Sequence, residues 1–173
     1  KLMKANHTSQ KYRLEDNITQ HYPHQIAIFK ERIEGFTADM EKYAKNKPED
    51  KEQFFMQVGG KPYTDKKEAG TAIIAMCKEI KGINASADVG EYLGFKLNVT
   101  FDSFNNKFVM NVKGAMSHPM EVGTDPLGNI TRINNALEAM PAQLEEAQTK
   151  LSNVEHQLET AKAEVDKPFQ QEA

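Results

Sequence analysis

The sequence predicts an α+β fold: a long antiparallel helical hairpin with coiled-coil-like arms, into which a small antiparallel β-sheet covered by one helix is inserted. Three observations predict it. Apolar residues recur at alternating spacings of three and four near both ends of the chain. The period changes to two in the middle. A capping signature marks one further helix between the strands.

The first arm, residues 8–47, carries Tyr22, Ile26, Phe29, Ile33, Phe36, Met40 and Tyr43. The second, residues 126–166, carries Leu137, Met140, Leu144, Ala147, Leu151, Val154, Leu158, Ala161 and Val165. A 3.5-residue repeat of this kind keeps a narrow seam turned toward a partner helix. Tyr22, Phe29, Phe36 and Tyr43 are aromatic at every seventh position. In the second seam Leu144, Leu151 and Leu158 alternate with the smaller Ala147, Val154 and Ala161, so large residues can oppose small ones. Ile18 to Tyr43 and Met140 to Val165 have equal lengths, about 38 Å at the helical rise. An intramolecular hairpin therefore places Tyr43 near Met140 at its base and Ile18 near Val165 at its tip. The competing arrangement pairs each seam with another protein or a second copy, making the chain a coiled-coil dimerisation module. Pro23 and Pro141 lack an amide hydrogen and should kink or restart their helices. Because the apolar register continues through Pro141, the expectation is one kinked helix. Thr8 or Ser9 is the expected N-cap of the first arm.

Residues 53–124 form the insert. Leu93, Phe95, Leu97, Val99 and Phe101 alternate with polar neighbours as a strand with one wet face. Asp102 to Asn106 supply a turn, and Phe108, Met110 and Val112 the returning strand. Met120 and Val122, after His118-Pro119, suggest a third strand and Phe54, Met56 and Val58 a fourth. Gly59-Gly60 reads as a two-residue turn into a short strand, Lys61 to Tyr63. Asp65 stands three residues before Glu68, the spacing of a capping box. The helix it opens should run over about 65–81, cover the sheet with Ile73, Met76, Cys77 and Ile80, and stop at Gly82.

A chain of 173 residues with 39% hydrophobic content supports a single module with a moderate core. Opening on Lys1, it reads as a piece of a longer polypeptide. The net charge of -3 argues against a domain whose main work is neutralising a nucleic-acid backbone. The acidic excess lies in residues 126–173, with four Lys/Arg against eight Asp/Glu, so any phosphate contact must come from the earlier parts. Cys77, the only cysteine, sits among isoleucines and reads as a small buried residue in a reducing, cytoplasmic setting. No apolar run approaches the roughly 18 residues needed to span a bilayer, and no membrane partner is expected.

The stretch from Val58 to Gly70, VGGKPYTDKKEAG, has a glycine pair followed by lysines. A phosphate loop needs the pattern G-x-x-x-x-G-K followed by Ser or Thr, with several converging backbone amides. Here two adjacent glycines precede Lys61, and Pro62 removes an amide, so a solvated hairpin tip is the favoured reading. The candidate nucleic-acid contacts are Lys61, Tyr63, Lys66 and Lys67 at that tip, with Lys107 and Lys113 of a hairpin expected beside it. His21 and His24 flank a proline without a carboxylate or cysteine beside them, a poor metal site. His118 reads as a turn residue, with no Ser or Cys nucleophile placed beside it. No catalytic residue, metal site or cofactor is assigned to this segment.

The stretches KANHTSQKYRLEDNI, YTDKKEAGTAIIAMCKEI, GEYLGFKLNVTFDSFNNKFVMNVKG and DPLGNITRINNALEAMP, together with the seam segment that follows, are distributed along nearly the whole chain. They resemble the C-terminal region of large helicase and adenine-specific DNA methylase proteins carried by bacterial conjugative elements. The resemblance implies a parent with a Swi/Snf-like or DEAD/DEAH-type ATPase and often a methyltransferase, acting on mobile DNA in the bacterial cytoplasm. ATP and Mg would then bind elsewhere in the parent. None of the parent's catalytic motifs occurs here. The expected role is a non-catalytic accessory module that positions the ATPase relative to DNA or a protein partner. Direct nucleic-acid binding through the Lys61 to Lys67 tip is the alternative from another class.

Overall fold

The computed structural model describes residues 10–50, 52–80 and 85–165. They divide into two compact units, one drawn from 1–34 and 144–173, the other Gly35–Gln143. The elements are α1 (Tyr22–Asn46), β1 (Met56–Val58), β2 (Lys61–Tyr63), α2 (Lys66–Glu79), β3 (Ser86–Tyr92), β4 (Phe95–Asp102), β5 (Lys107–Lys113), β6 (Ser117–Val122), α3 (Pro126–Glu138) and α4 (Met140–Val165). The fold is α+β, as the change of period predicts. Among the described residues no helix is long and apolar enough to cross a membrane.

In the first unit residues 10–16 are helical and lead into a wide π turn, Asn17–His21. The Tyr22 amide donates to the Asn17 carbonyl, five residues back. Pro23 has no hydrogen to give the ordinary acceptor, and a widened turn just before it is the local answer. The N-cap expected at Thr8 or Ser9 lies outside the described residues. Along α4, Ala147, Val154 and Ala161 are buried, seven residues apart, and Leu144, Leu151 and Leu158 are half-buried. In the first part of α1, Tyr22 and Phe29 are half-buried as well.

The second unit holds one six-stranded sheet in the order β2-β1-β3-β4-β5-β6, every pair antiparallel. Two-residue turns close two of its hairpins. Gly59 and Gly60 have φ of 61° and 79°, as a turn matched to strand twist requires. Leu93 and Gly94 have φ of 53° and 84° and make the second such turn. This corrects the expectation at Leu93, which belongs to a turn and not to the strand. It also reveals β3, absent from the sequence reading. The register of β3 slips between Asp88 and Gly90, so its apolar residues do not alternate cleanly. Gly90 is required there, because a Cβ would run into the Gln57 carbonyl of β1.

The register places Val58, Gly90, Leu97, Val112 and His118 side by side across five strands, with Val99, Met110 and Met120 in the next row. These residues face the core; all but Gly90 are buried. The opposite face is polar, with Asp88, Asn98, Asn111 and Pro119 in one row and Asn98 Nδ2 donating to Asp88 Oδ1 at 2.9 Å.

More than one helix covers the apolar face. α2 packs on β1 and β2, α3 on β6, and the two helices on each other, where Gly70 allows the Pro126 backbone to approach. The half of α1 inside this unit adds Phe36, Asp39 and Tyr43. A six-stranded sheet has more apolar area than one 14-residue helix can shield from water, which is why three segments are needed. Asp65 caps α2 as its spacing predicts, accepting from the Glu68 amide at 2.9 Å. The helix ends at Glu79, and the stop expected at Gly82 lies outside the described residues.

Residues 126–166 are not one kinked helix. The chain breaks at Ala139, separating α3 from α4. Pro141 then sits in the first turn of α4, where its missing amide would be unpaired in any case. Asp125 caps α3 by accepting from Gly128, and buried Asn129 binds both the amide and the carbonyl of Gly123, at 2.8 and 3.0 Å.

Candidate functional site

Lys61 and Tyr63 lie on the edge strand β2, and Lys66 and Lys67 open α2 immediately after it. The tip is thus built as the sequence implies: a glycine turn, three residues of strand, a capped helix start. Lys61 pairs with Val58 and Tyr63 with Met56, so both belong to the side of the sheet that the helices cover. Among the described residues no ion pair holds Lys61, Lys66 or Lys67.

Lys107 and Lys113 are placed elsewhere. They alternate with the inward-facing Phe108, Met110 and Val112, and so share the polar face with Asn111. β5 stands four strands from β2, about 19 Å at ordinary strand spacing. The two lysines occupy opposite ends of β5, roughly 20 Å apart. Lys107 also approaches Glu121 at 3.9 Å. Asp102, opposite Lys107, is held below the usual carboxylate range, chiefly by hydrogen bonds from the Asn105 side chain and backbone. The hairpin expected beside the tip is therefore not its neighbour, and the six residues do not form one patch.

The sheet instead brings together a pair that sequence reasoning missed. His118 is a strand residue, not a turn residue, and is 2% exposed; Asp39 of α1 is 1% exposed. Their side chains meet at 2.7 Å, Nε2 to Oδ2. Asp39 also accepts from the amides of Ala115 and Met116, at 2.7 and 2.9 Å. Phe36 and Phe95 pack against the imidazole, with ring centroids at 6.0 and 6.1 Å. His118 Nδ1 is buried without a hydrogen-bond partner among the described residues. With Nε2–H donating to the carboxylate, Nδ1 is a bare acceptor, which is the less costly atom to leave unpaired. The pair joins helix to sheet. The one available sequence signal was parity: His118 falls on the same side of its strand as Met120 and Val122.

No group of three or more His, Cys, Asp or Glu among the described residues could hold a metal ion. His21 and His24 are exposed. Burial pushes the Cys77 thiol up to about 11, so it is neither a nucleophile nor a ready ligand near neutrality.

A concavity of the second unit lies between the end of α1 and the sheet. Cavities of about 790 and 260 Å³ adjoin there, sharing Pro48, Gln53, Phe54 and Leu93. Phe54 packs against Tyr92 with ring centroids at 5.7 Å, giving the groove an aromatic floor. Glu52 and Glu91 line the larger cavity; Lys47, Lys66 and Glu138 line the smaller. Tyr92 donates to Asn134 Oδ1 at 2.7 Å. Burial, then the neighbouring Tyr43, pushes the Tyr92 hydroxyl up to about 12, and burial and Glu138 raise Tyr43 in the same direction. Both hydroxyls stay protonated donors at neutral pH. Of the tip lysines, only Lys66 lines this groove.

Compared with family models, with curated proteins and with solved structures, the chain matches none of them.

Proposed function

We propose that this chain is a non-catalytic accessory module of a large DNA-processing polypeptide, in which two helical arms pair as an antiparallel hairpin and a second unit carries the sheet. The observation that carries the reading is the burial of Ala147, Val154 and Ala161 at every seventh position of α4. Small buried residues at that spacing are what a seam facing large aromatic side chains needs. Two further observations support the antiparallel sense. Glu15, Ile18 and Thr19 line one cavity with Lys162 and Val165. Glu146 is held below its ordinary range, first by Lys150 and more weakly by Arg32 of the other arm. The conjugative-element helicase and methylase context rests on the resemblance of the quoted stretches, and it supplies the larger machine in which such a module would act.

The alternative, direct nucleic-acid binding, is narrowed to the Lys61 to Lys67 tip, because Lys107 and Lys113 lie four strands away on the other face of the sheet.

Hydrogen exchange followed by mass spectrometry, run with sedimentation at several concentrations, tests the proposal. A monomer with amides of 18–34 and 144–165 protected together is the expected result. Arms that exchange freely would sink the scaffold reading, and a concentration-dependent dimer would transfer the seams to a second copy.

A further inference from the structure

Both outer strands of the sheet carry a proline, Pro62 in β2 and Pro119 in β6. The hydrogen-bond register decides which way each one faces. The Gly114 amide donates to the Met116 carbonyl at 2.9 Å, so in the antiparallel ladder that continues from this turn Val112/His118 and Met110/Met120 are the bonded pairs. Asn111/Pro119 and Val109/Glu121 fall between them. Ser117, Pro119, Glu121 and Gly123 therefore turn their backbone groups away from β5, toward the open edge. The other edge is built alike. The Gly59 amide reaches the Val89 carbonyl at 2.8 Å, which turns Gln57 toward β3 and leaves Pro62, opposite Gln57, facing out of the sheet.

On β6 the outward groups are met by side chains of α3. Asn129, fully buried, accepts from the Gly123 amide at 2.8 Å and donates to the Gly123 carbonyl at 3.0 Å, the two bonds that a neighbouring strand would make. Arg132, one helical turn further on, donates from Nη1 to the Glu121 carbonyl at 3.4 Å and to Asn129 Oδ1 at 3.2 Å. Pro119 has no amide hydrogen to offer. We propose that Asn129, Arg132 and Pro119 together close the β6 edge against strand addition by a second copy of this chain, and that Pro62 closes β2 in the same way. β6 is the edge at greater risk, since it has six residues against three. In two copies paired antiparallel about Pro119, the prolines would face each other and the central hydrogen bonds could not form, while Arg132 would hold a carbonyl needed at each end. Partners then reach this unit through its helices and turns, not by extending the sheet. Every residue involved belongs to the Gly35–Gln143 unit, so the inference goes beyond the scaffold reading and is independent of how the arms pair.

The test opens the edge in the whole chain. Pro119→Thr/Arg132→Ala changes two exposed side chains, and circular dichroism with a thermal melt checks that the fold is kept. If the double variant melts early, Pro119→Thr alone takes its place under the same criteria. Sedimentation velocity over a range of concentrations should show the opened variant associating at a concentration about tenfold or more below the parent. Hydrogen exchange should find residues 117–123 slowed by association in the variant alone. Pro62→Thr should associate less, because β2 offers only three residues. The proposal is overturned if the opened variant stays as monomeric as the parent, or if its association slows exchange only outside 117–123. A parent that already associates with 117–123 protected overturns it as well. Exchange of the arms, 18–34 and 144–165, reads the helical pairing separately, so failure here is distinguishable from failure of the hairpin.

Discussion

Asp39 and His118 stand 79 residues apart in sequence and meet at 2.7 Å, each almost completely buried. One carboxylate thereby collects the β5–β6 turn, through the amides of Ala115 and Met116, and the strand that follows it. Removing one partner leaves a buried polar atom of the other without its hydrogen bond, at a cost of about 1–3 kcal/mol. We expect Asp39→Ala and His118→Ala each to lose stability on that scale in urea denaturation. The double variant should lose clearly less than the sum. Additive losses, or single losses below about 1 kcal/mol, would mean that the pair does not clamp α1 to the sheet.

Gly114 makes that clamp possible. A Cβ there would collide with Asp39 Oδ1 and press on Phe95, so Gly114→Ala should destabilise by about 2–3 kcal/mol through the displaced carboxylate. Gly60→Ala is the control: nothing lies within 4 Å of its added Cβ, but its φ of 79° is unfavourable for alanine. It should cost only about 1 kcal/mol. Thermal melts of the two variants separate collision from backbone strain.

Stability should fall in alkali. The ordinary value for Tyr92 is 10.0 and burial raises it to about 12 in the folded chain. The unfolded chain therefore loses its proton first. The contribution is complete below pH 10 and disappears as pH rises through 12. At about 1.4 kcal/mol per unit it amounts to at most about 3 kcal/mol before solvent screening, with the same sign from Cys77 beginning near its ordinary 9.0. Urea midpoints between pH 8 and 11.5 should decline in the parent chain. The decline should be shallower in Tyr92→Phe and shallower again with Cys77→Ala. A flat profile in the parent would show that neither group is shielded.

The two sets of lysines should behave independently in any nucleic-acid titration. The scaffold reading expects duplex DNA binding no tighter than ordinary non-specific contact, with a Kd of about 100 µM at physiological salt. Lys61→Ala/Lys66→Ala/Lys67→Ala and Lys107→Ala/Lys113→Ala should then leave it unchanged. A large loss confined to the first set, with a steep salt dependence in the parent, would restore the tip as a binding site.

Much of the strand and helix content was legible because it depends on neighbours in sequence. Gly59-Gly60, the Asp65 cap over Glu68 and the alternation from Phe95 to Phe101 are local signals, and each produces the expected element. β3 was missed because a bulge shifts its register and Leu93 replaces the usual turn residue. The break at Ala139 was missed because the apolar register of α3 and α4 runs on through it, although only α4 belongs mainly to the helical unit.

The candidate site was hardly legible at all. Phe54, Tyr92-Leu93 and Lys66 come from three segments, and none announces a groove by its own spacing. The sequence by itself determined the α+β class, the turn and the capped helix, because periodicity and hydrogen-bond geometry act within a few residues. Only the tertiary structure decided the strand order, which sets Lys107 and Lys113 four strands from Lys61, and the burial of His118 on Asp39. Those are contacts between distant segments, settled by which surfaces must leave water together.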